Sequence, residues 1–295
     1  MIRMKNRMLC ILLCLVLCPL MVSAEELSFF DEVEADSVGK IVRTYDSDTL
    51  MYTMEKFLME GELCYLTRVW VQDPDRQIRK ATAEWEKGLN YPDRIAAGIP
   101  GATLAINGSG FVSPEYPGIP DNYPGKSKDY FYTPLGSLTV TDGEVFRNLE
   151  GVPYYGLTLD ADGLQMYTGM DNEEVLATKP AQTWSFYVQC PLMRNNEDLL
   201  PREWDDFRDK KYQRTIIARV DRNNYLILTA TRERGKGITL RTAVEFFREN
   251  FRTEWVYNLD GGPSSALMSR LNDKKNLRLL TKKGAKVTDV MVFTE

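Results

Sequence analysis

One stretch sets most of what this chain can become: Trp255 to Met268, WVYNLDGGPSSALM. Trp255, Val256 and Tyr257 are bulky, β-favouring residues and predict a strand. If the strand runs on, Asn258 and Asp260 share one of its faces and Leu259 points to the other. Gly261 and Gly262 then free the backbone where a side chain would block close approach. Pro263 fixes φ and removes a donor, and Ser264 and Ser265 add two hydroxyls. The chain turns apolar again at Ala266, Leu267 and Met268. An ordinary Asp-Gly turn accounts for one such dipeptide. Asn, Asp, two glycines and two serines packed between apolar runs instead describe a sheet presenting polar groups at its rim.

The rest of the chain is punctuated in a compatible way. Leu63 to Val71 is β-rich and stops at Gln72-Asp73-Pro74-Asp75. Tyr91 to Ala97 reads as a short helix with Pro92 in its first turn. Gly101 to Ile106 is a buried strand that delivers Asn107 and Gly108 to its end. Asp142-Gly143 joins Leu138–Val140 to Glu144–Phe146 as a hairpin, and Asp162-Gly163 does the same for Gly156–Leu159 and Leu164–Tyr167. Arg214 to Val220 and Tyr225 to Thr231 form another hairpin around Arg222-Asn223-Asn224, with Arg219 and Arg222 read as solvated charges. Thr239 caps the one clear helix, in which Leu240, Ala243, Val244, Phe247 and Phe251 make an apolar face. Val287 to Phe293 is a closing core strand. Strands dominate, so the expected class is α+β: a single sheet-rich domain with a few packed helices.

The amino end reads differently. Arg3, Lys5 and Arg7 precede an apolar run from Leu9 to Leu20, and Val22-Ser23-Ala24 is a small-residue cleavage site. Residues 1–24 therefore read as a secretory signal, too short in its apolar part for a comfortable membrane span. Residues 25–59 read as a lead-in and residues 60–295 as the domain. The expected location is secreted or periplasmic, with no stable membrane span after cleavage. Loss of the leader takes the net charge of −5 down by three, to −8, which argues against a nucleic-acid partner. Cys64 and Cys190 remain. They are either one disulfide or two buried small hydrophobes.

The chain contains no histidine. That excludes Ser-His-Asp and Cys-His catalysis and any His-ligated zinc site. Proton transfer falls to Asp, Glu, Tyr, Lys or water, as in the carboxylate chemistry of glycoside hydrolysis. No metal and no cofactor is expected; the Asp160 and Asp162 spacing is explained by a turn. The loop from Val112 to Lys128, rich in Pro, Gly and Tyr, is long enough to suggest a cover over a site.

Several segments in order carry a resemblance. Ala105-Ile106-Asn107-Gly108-Ser109-Gly110-Phe111, Leu135-Gly136-Ser137 with Asp142-Gly143-Glu144-Val145, Cys190-Pro191-Leu192-Met193, Arg214-Thr215-Ile216-Ile217-Ala218, Gly237-Ile238-Thr239-Leu240 and Asn258-Leu259-Asp260-Gly261-Gly262-Pro263-Ser264-Ser265 together resemble the phosphodiester glycosidase family. The likeness runs over roughly residues 60 to 295. It departs at Ala218 and Pro263, each in place of a family Gly, and at Arg241 and Thr242 in place of an acidic pair. It also departs at Thr229-Ala230-Thr231-Arg232, where the family has VDGR and this chain has lost the Asp.

The resemblance implies hydrolysis of the bond between a sugar anomeric carbon and a phosphodiester oxygen, in a phosphorylated glycan or envelope polysaccharide. Asp260 is then the catalytic carboxylate, as base for water or as stabiliser of positive charge on the sugar. Arg214 suits the phosphate as a bidentate donor. Backbone amides at Gly261 and Gly262 add donors, and Gly108 lets the backbone come close. Asn107 and Asn258 would bind sugar hydroxyls or water. Ser264 and Ser265 would do likewise or orient Asp260, and Glu233 is a candidate second carboxylate. The missing VDGR Asp leaves an alternative: a non-catalytic protein that binds phosphorylated or acidic exopolysaccharide. A third reading is hydrolysis of another ester, such as a glycerophosphodiester.

Overall fold

The meander that opens the structure is set by long, mostly apolar segments. Strands β1 (Lys40–Asp46), β2 (Leu50–Met59) and β3 (Glu62–Val71) pair antiparallel, β2 and β3 in unbroken register from Leu50↔Val71 to Met59↔Glu62. The computed structural model describes residues 38–83, 88–112, 133–134, 136–186, 190–200, 208–270, 277–282 and 284–295. The expected leader, the first part of the expected lead-in and the body of the proline-rich loop lie outside them. Within the expected lead-in, β1 and β2 are strands of the largest sheet. LMYTMEKFLM is too apolar to stay outside a core, and Leu50, Tyr52 and Met54 are buried.

Along the chain there follow helix α1 (Pro74–Gln77), β4 (Ile78–Thr82), helix α2 (Pro92–Ala96), β5 (Ala102–Asn107), the short β6 (Phe111–Val112) and β7 (Thr133–Pro134), β8 (Leu138–Thr141), β9 (Glu144–Asn148), β10 (Tyr154–Asp160), β11 (Gly163–Met170), helix α3 (Asn172–Ala177) and β12 (Gln182–Ser185). The second half adds β13 (Pro191–Arg194), β14 (Glu197–Asp198), β15 (Arg214–Arg219), β16 (Asn224–Ala230), helix α4 (Leu240–Asn250), β17 (Trp255–Asn258), a 3-10 turn at Gly262–Ser264, β18 (Leu267–Arg270), β19 (Leu277–Leu279) and β20 (Asp289–Thr294).

The molecule is sheet-rich with few helices, and it is mostly β. Its described strands form three large sheets and the separate pair β6-β7. An eight-stranded sheet has the order β1-β2-β3-β16-β15-β17-β13-β14. One five-stranded sheet runs β19-β18-β5-β20-β4 and the other β11-β10-β12-β8-β9. The expected hairpins form, with Val140 opposite Val145, Leu159 opposite Leu164 and Ile217 opposite Ile227. At the first of these turns Asp142 and Gly143 both take positive φ, 51° and 78°, the pair of left-handed residues a tight hairpin demands.

All three sheets contribute to one core. Tyr52, Ile217, Ile227, Tyr257 and Leu259 from the large sheet meet Leu104, Ile106, Met291 and Phe293 from one small sheet and Leu157, Leu164 and Trp184 from the other. Helix α4 begins where expected: Thr239 Oγ1 accepts the Thr242 N–H at 3.0 Å. It buries Leu240, Ala243, Val244 and Phe247, while Phe246 stacks on Phe57 of β2 at 5.5 Å. Arg219 is not solvated. It is buried, its Nε 2.8 Å from Glu254 Oε2, and it donates to the Leu164 carbonyl at 3.0 Å.

Cys64 and Cys190 are both buried and unbridged. Cys64 lies on β3 and Cys190 abuts β13, with β16, β15 and β17 between them. Four inter-strand steps of about 4.8 Å put them roughly 19 Å apart, far beyond disulfide reach.

Candidate active site

The site forms where β17 runs out between two sheets. Leu259 N–H donates to the Thr215 carbonyl at 2.8 Å and Gly262 N–H to the Gln213 carbonyl at 2.9 Å, so the Asp-Gly-Gly loop is held along the start of β15. From the other side Asp260 N–H donates to the Gly108 carbonyl at 3.1 Å. Gly262 has φ +59°, the left-handed region, and this lets the loop turn into its 3-10 segment.

Asn107, at the end of β5, is the brace of this junction. Its Nδ2 donates to the Asp260 carbonyl at 2.7 Å. Its Oδ1 accepts from Thr215 Oγ1 at 2.7 Å and from Ala266 N–H at 2.9 Å. The side chain has no exposed surface. Asn107 therefore lies beside Asp260 and ties the loop to both sheets.

Asp260 is 8% exposed. Burial pushes its carboxyl up from the ordinary 3.8 to about 7, against the pull of hydrogen bonds from Ser264 and from the Gly261 amide at 2.8 Å, and with a further push from the charge of Asp289. A carboxyl balanced near neutrality exchanges protons readily at working pH.

Asp289, the first residue of β20, escaped the sequence reading. Its Oδ1 accepts the Ser109 N–H at 2.8 Å and its backbone oxygen accepts the Gly108 N–H at 3.1 Å. Its Oδ2 lies 3.7 Å from Lys80 Nζ, and both side chains are almost wholly buried. Lys80 Nζ donates to the Thr183 carbonyl of β12 at 2.8 Å. A Cβ on Gly108 would overlap the Asp289 carboxylate and press on Trp184 at 2.9 Å, so the glycine is required by space. The available signal was a lone carboxylate inside the apolar run Val287 to Phe293.

The other expected residues divide. Arg214 is 3% exposed, and its guanidinium sits 5.2 Å over the Tyr212 ring and donates to the Lys210 carbonyl at 3.1 Å. Its Cδ would be 4.0 Å from a Cβ on Gly261, so it reaches the loop. Burial lowers its pKa to about 10. Asn258 is fully buried, its Nδ2 3.8 Å from Cys190 Sγ. Asn258 Oδ1 and Ser265 Oγ are buried without a hydrogen-bond partner. Glu233 is exposed in the segment after β16. That segment is organised by Glu62, whose carboxylate accepts from the amides of Leu63, Arg234 and Gly237 and from Thr231 Oγ1. Burial alone would raise the Glu62 carboxyl, but these donors outweigh it and hold it below its usual value. The lost VDGR Asp falls at Ala230, which stands directly across the ladder from Arg214.

The family model for phosphodiester glycosidase matches residues 100–294. Among solved structures, the chain is similar to the catalytic domain of zebrafish N-acetylglucosamine-1-phosphodiester alpha-N-acetylglucosaminidase, in a form auto-inhibited by its pro-peptide. The likeness covers 85% of each chain, with a TM-score of 0.60 and 16% identity. It is also similar to a hypothetical protein from Synechocystis, with a TM-score of 0.61 and 12% identity, over 88% of this chain and 64% of that one. Likeness at these identities speaks for the fold alone. No curated protein matches.

Proposed function

This chain belongs to the phosphodiester glycosidase family, and we propose that it is a hydrolase that splits a sugar-1-phosphodiester in a glycan or envelope polysaccharide. The observation that carries this reading is Asp260: a buried carboxyl balanced near pH 7, in a loop fixed from both sides by backbone hydrogen bonds. In the reaction, Asp260 as carboxylate takes a proton from water while the water oxygen bonds to the anomeric carbon. The bond from that carbon to oxygen breaks, and its electron pair leaves with the phosphate. The leaving group is already a weak base, so no acid is needed to expel it. Arg214, always charged near neutrality, and the amides of Gly261 and Gly262 supply anion binding. Gly108 lets the backbone approach, and Ser264 orients Asp260. Asn258 Oδ1 and Ser265 Oγ, buried without partners, are groups a sugar hydroxyl or a water would satisfy.

Residues 1–24 act as a secretion signal in this reading, so the enzyme meets its substrate outside the cytoplasm. No helix among the described residues is long and apolar enough to cross a membrane.

The test uses chain from Glu25 onward, a panel of sugar-1-phosphodiesters and a reducing-sugar assay, with Asp260→Asn as control. Release by the native chain and not by the variant supports the reading. A folded native chain that releases no sugar sinks it. A second reading, saturable binding of an acidic glycan without turnover, is favoured by Ala230, which leaves the position facing Arg214 without the family's carboxylate. Glycan binding without release would select it. Release of an alcohol in place of sugar would select a different ester.

A further inference from the structure

Lys80 and Asp289 are unusual for the interior of a sheet. A buried ion pair at 3.7 Å rarely repays the cost of desolvating both groups, and two apolar residues in β4 and β20 would pack as well. What separates this pair from an ordinary structural bridge is its position. Asp289 grips the Gly108–Ser109 turn through Oδ1 and its own backbone oxygen. That same turn accepts the Asp260 amide through the Gly108 carbonyl. Asp289 and Asp260 thus bracket one turn, close enough for the charge of Asp289 to act on Asp260.

Two buried carboxyls so placed do not both ionise freely. Each needs compensation for its charge, and the described residues supply it differently. Asp289 faces the Lys80 ammonium from β4, the Ser109 amide and the Thr288 hydroxyl. Asp260 faces the Gly261 amide and the Ser264 hydroxyl, and the charge it meets is Asp289. Lys80 in turn faces Asp289, the Thr183 carbonyl of β12 and the charge of Asp142 at the β8–β9 turn.

We propose that Asp289 and Lys80 are positioning residues of the site: Lys80 pairs with the Asp289 carboxylate and holds it on the Gly108–Ser109 turn, and this leaves to Asp260 the task of gaining and losing the proton. The inference rests on Asp260 being the working carboxylate.

The experiment titrates the carboxyl carbon of Asp260 by NMR in the mature chain labelled with 13C-Asp, with Asp260→Asn to assign the signal, and runs pH profiles of sugar release in parallel. Asp289→Asn keeps an oxygen for the Ser109 N–H, and Lys80→Met/Asp289→Asn removes both charges and leaves no buried ammonium alone. In Asp289→Asn the Asp260 midpoint falls and the acid limb of the rate profile moves with it, because a nearby negative charge is gone. In Lys80→Met, where only the cation is lost, the midpoint rises, and in the double variant, where opposite charges leave together, it returns toward the native value.

A midpoint that stays put in the folded Asp289→Asn variant overturns the proposal. So does an unmoved midpoint in Lys80→Met, which also decides the matter if the Asn variants do not fold. A midpoint that moves while no chain, native or variant, releases sugar supports the charged pair and removes the glycosidase reading instead.

Discussion

At Asp260 the needs of chemistry and of stability pull apart. Its folded carboxyl keeps a proton up to about pH 7, whereas the unfolded one gives it up near 3.8. Between those values the folded state binds more protons, so stability falls as pH rises through the window and levels off above it. A gap of about three pH units is worth up to about 4 kcal/mol. Asp260→Asn is therefore expected to raise the urea-denaturation stability at pH 8 by up to that amount and to change it little at pH 4. Sugar release falls at least about 100-fold, the usual share of a general base. Gly108→Ala is expected to destabilise by about 3 kcal/mol through overpacking against Asp289 and Trp184, read by the same denaturation. Much of this site was legible because Asn258 to Ser265 departs from its apolar surroundings over many consecutive positions. Asp289 and Lys80 were not, since each is a single charge in a strand and only the pairing of β20 with β4 puts Met291 opposite Lys80 and Asp289 two positions away.

At the scale of elements, the hairpins could be read because their information is local: an Asp-Gly pair and the alternation on either side of it fix turn and register together. The helix could be read from Thr239 and its apolar face. Thr239→Ala is expected to cost about 1 kcal/mol, the usual worth of such a cap, with sugar release unchanged, because α4 covers the large sheet and supplies no group to the loop. Asn107→Ala differs in kind. It strands Thr215 Oγ1, Ala266 N–H and the Asp260 carbonyl at once. A loss of about 3 kcal/mol in stability follows from about 1 kcal/mol per bond. Because the loop also loses its hold on β5, kcat falls more than KM rises. The resemblance gave Asn107 sugar hydroxyls or water as partners and its bracing role was not legible, since an Asn at a strand end looks the same whether it faces solvent or three backbone and hydroxyl groups.

For the whole molecule, the unread part was the division into sheets. Which strand joins which sheet depends on partners far apart in sequence, such as β3 with β16 and β18 with β5, and no local pattern carries that. The same division decides the cysteines. With three strands between Cys64 and Cys190, reducing agent is expected to leave Tm unchanged by calorimetry. A drop on reduction would mean a bridge the fold does not permit.

The small sheet of the site has a further property. β20 comes after every other described strand in the chain, yet it lies between β5 and β4 and, among the described strands, alone pairs with β4. As the chain leaves a ribosome amino end first, β4 and one edge of β5 wait unpaired until all the other described strands have been made. Asp289 arrives with the same strand. A chain halted before that point has an open, sticky edge and half a charge pair, so folding of this sheet and completion of its site are one late event, and any factor that shields nascent edges has its longest task here.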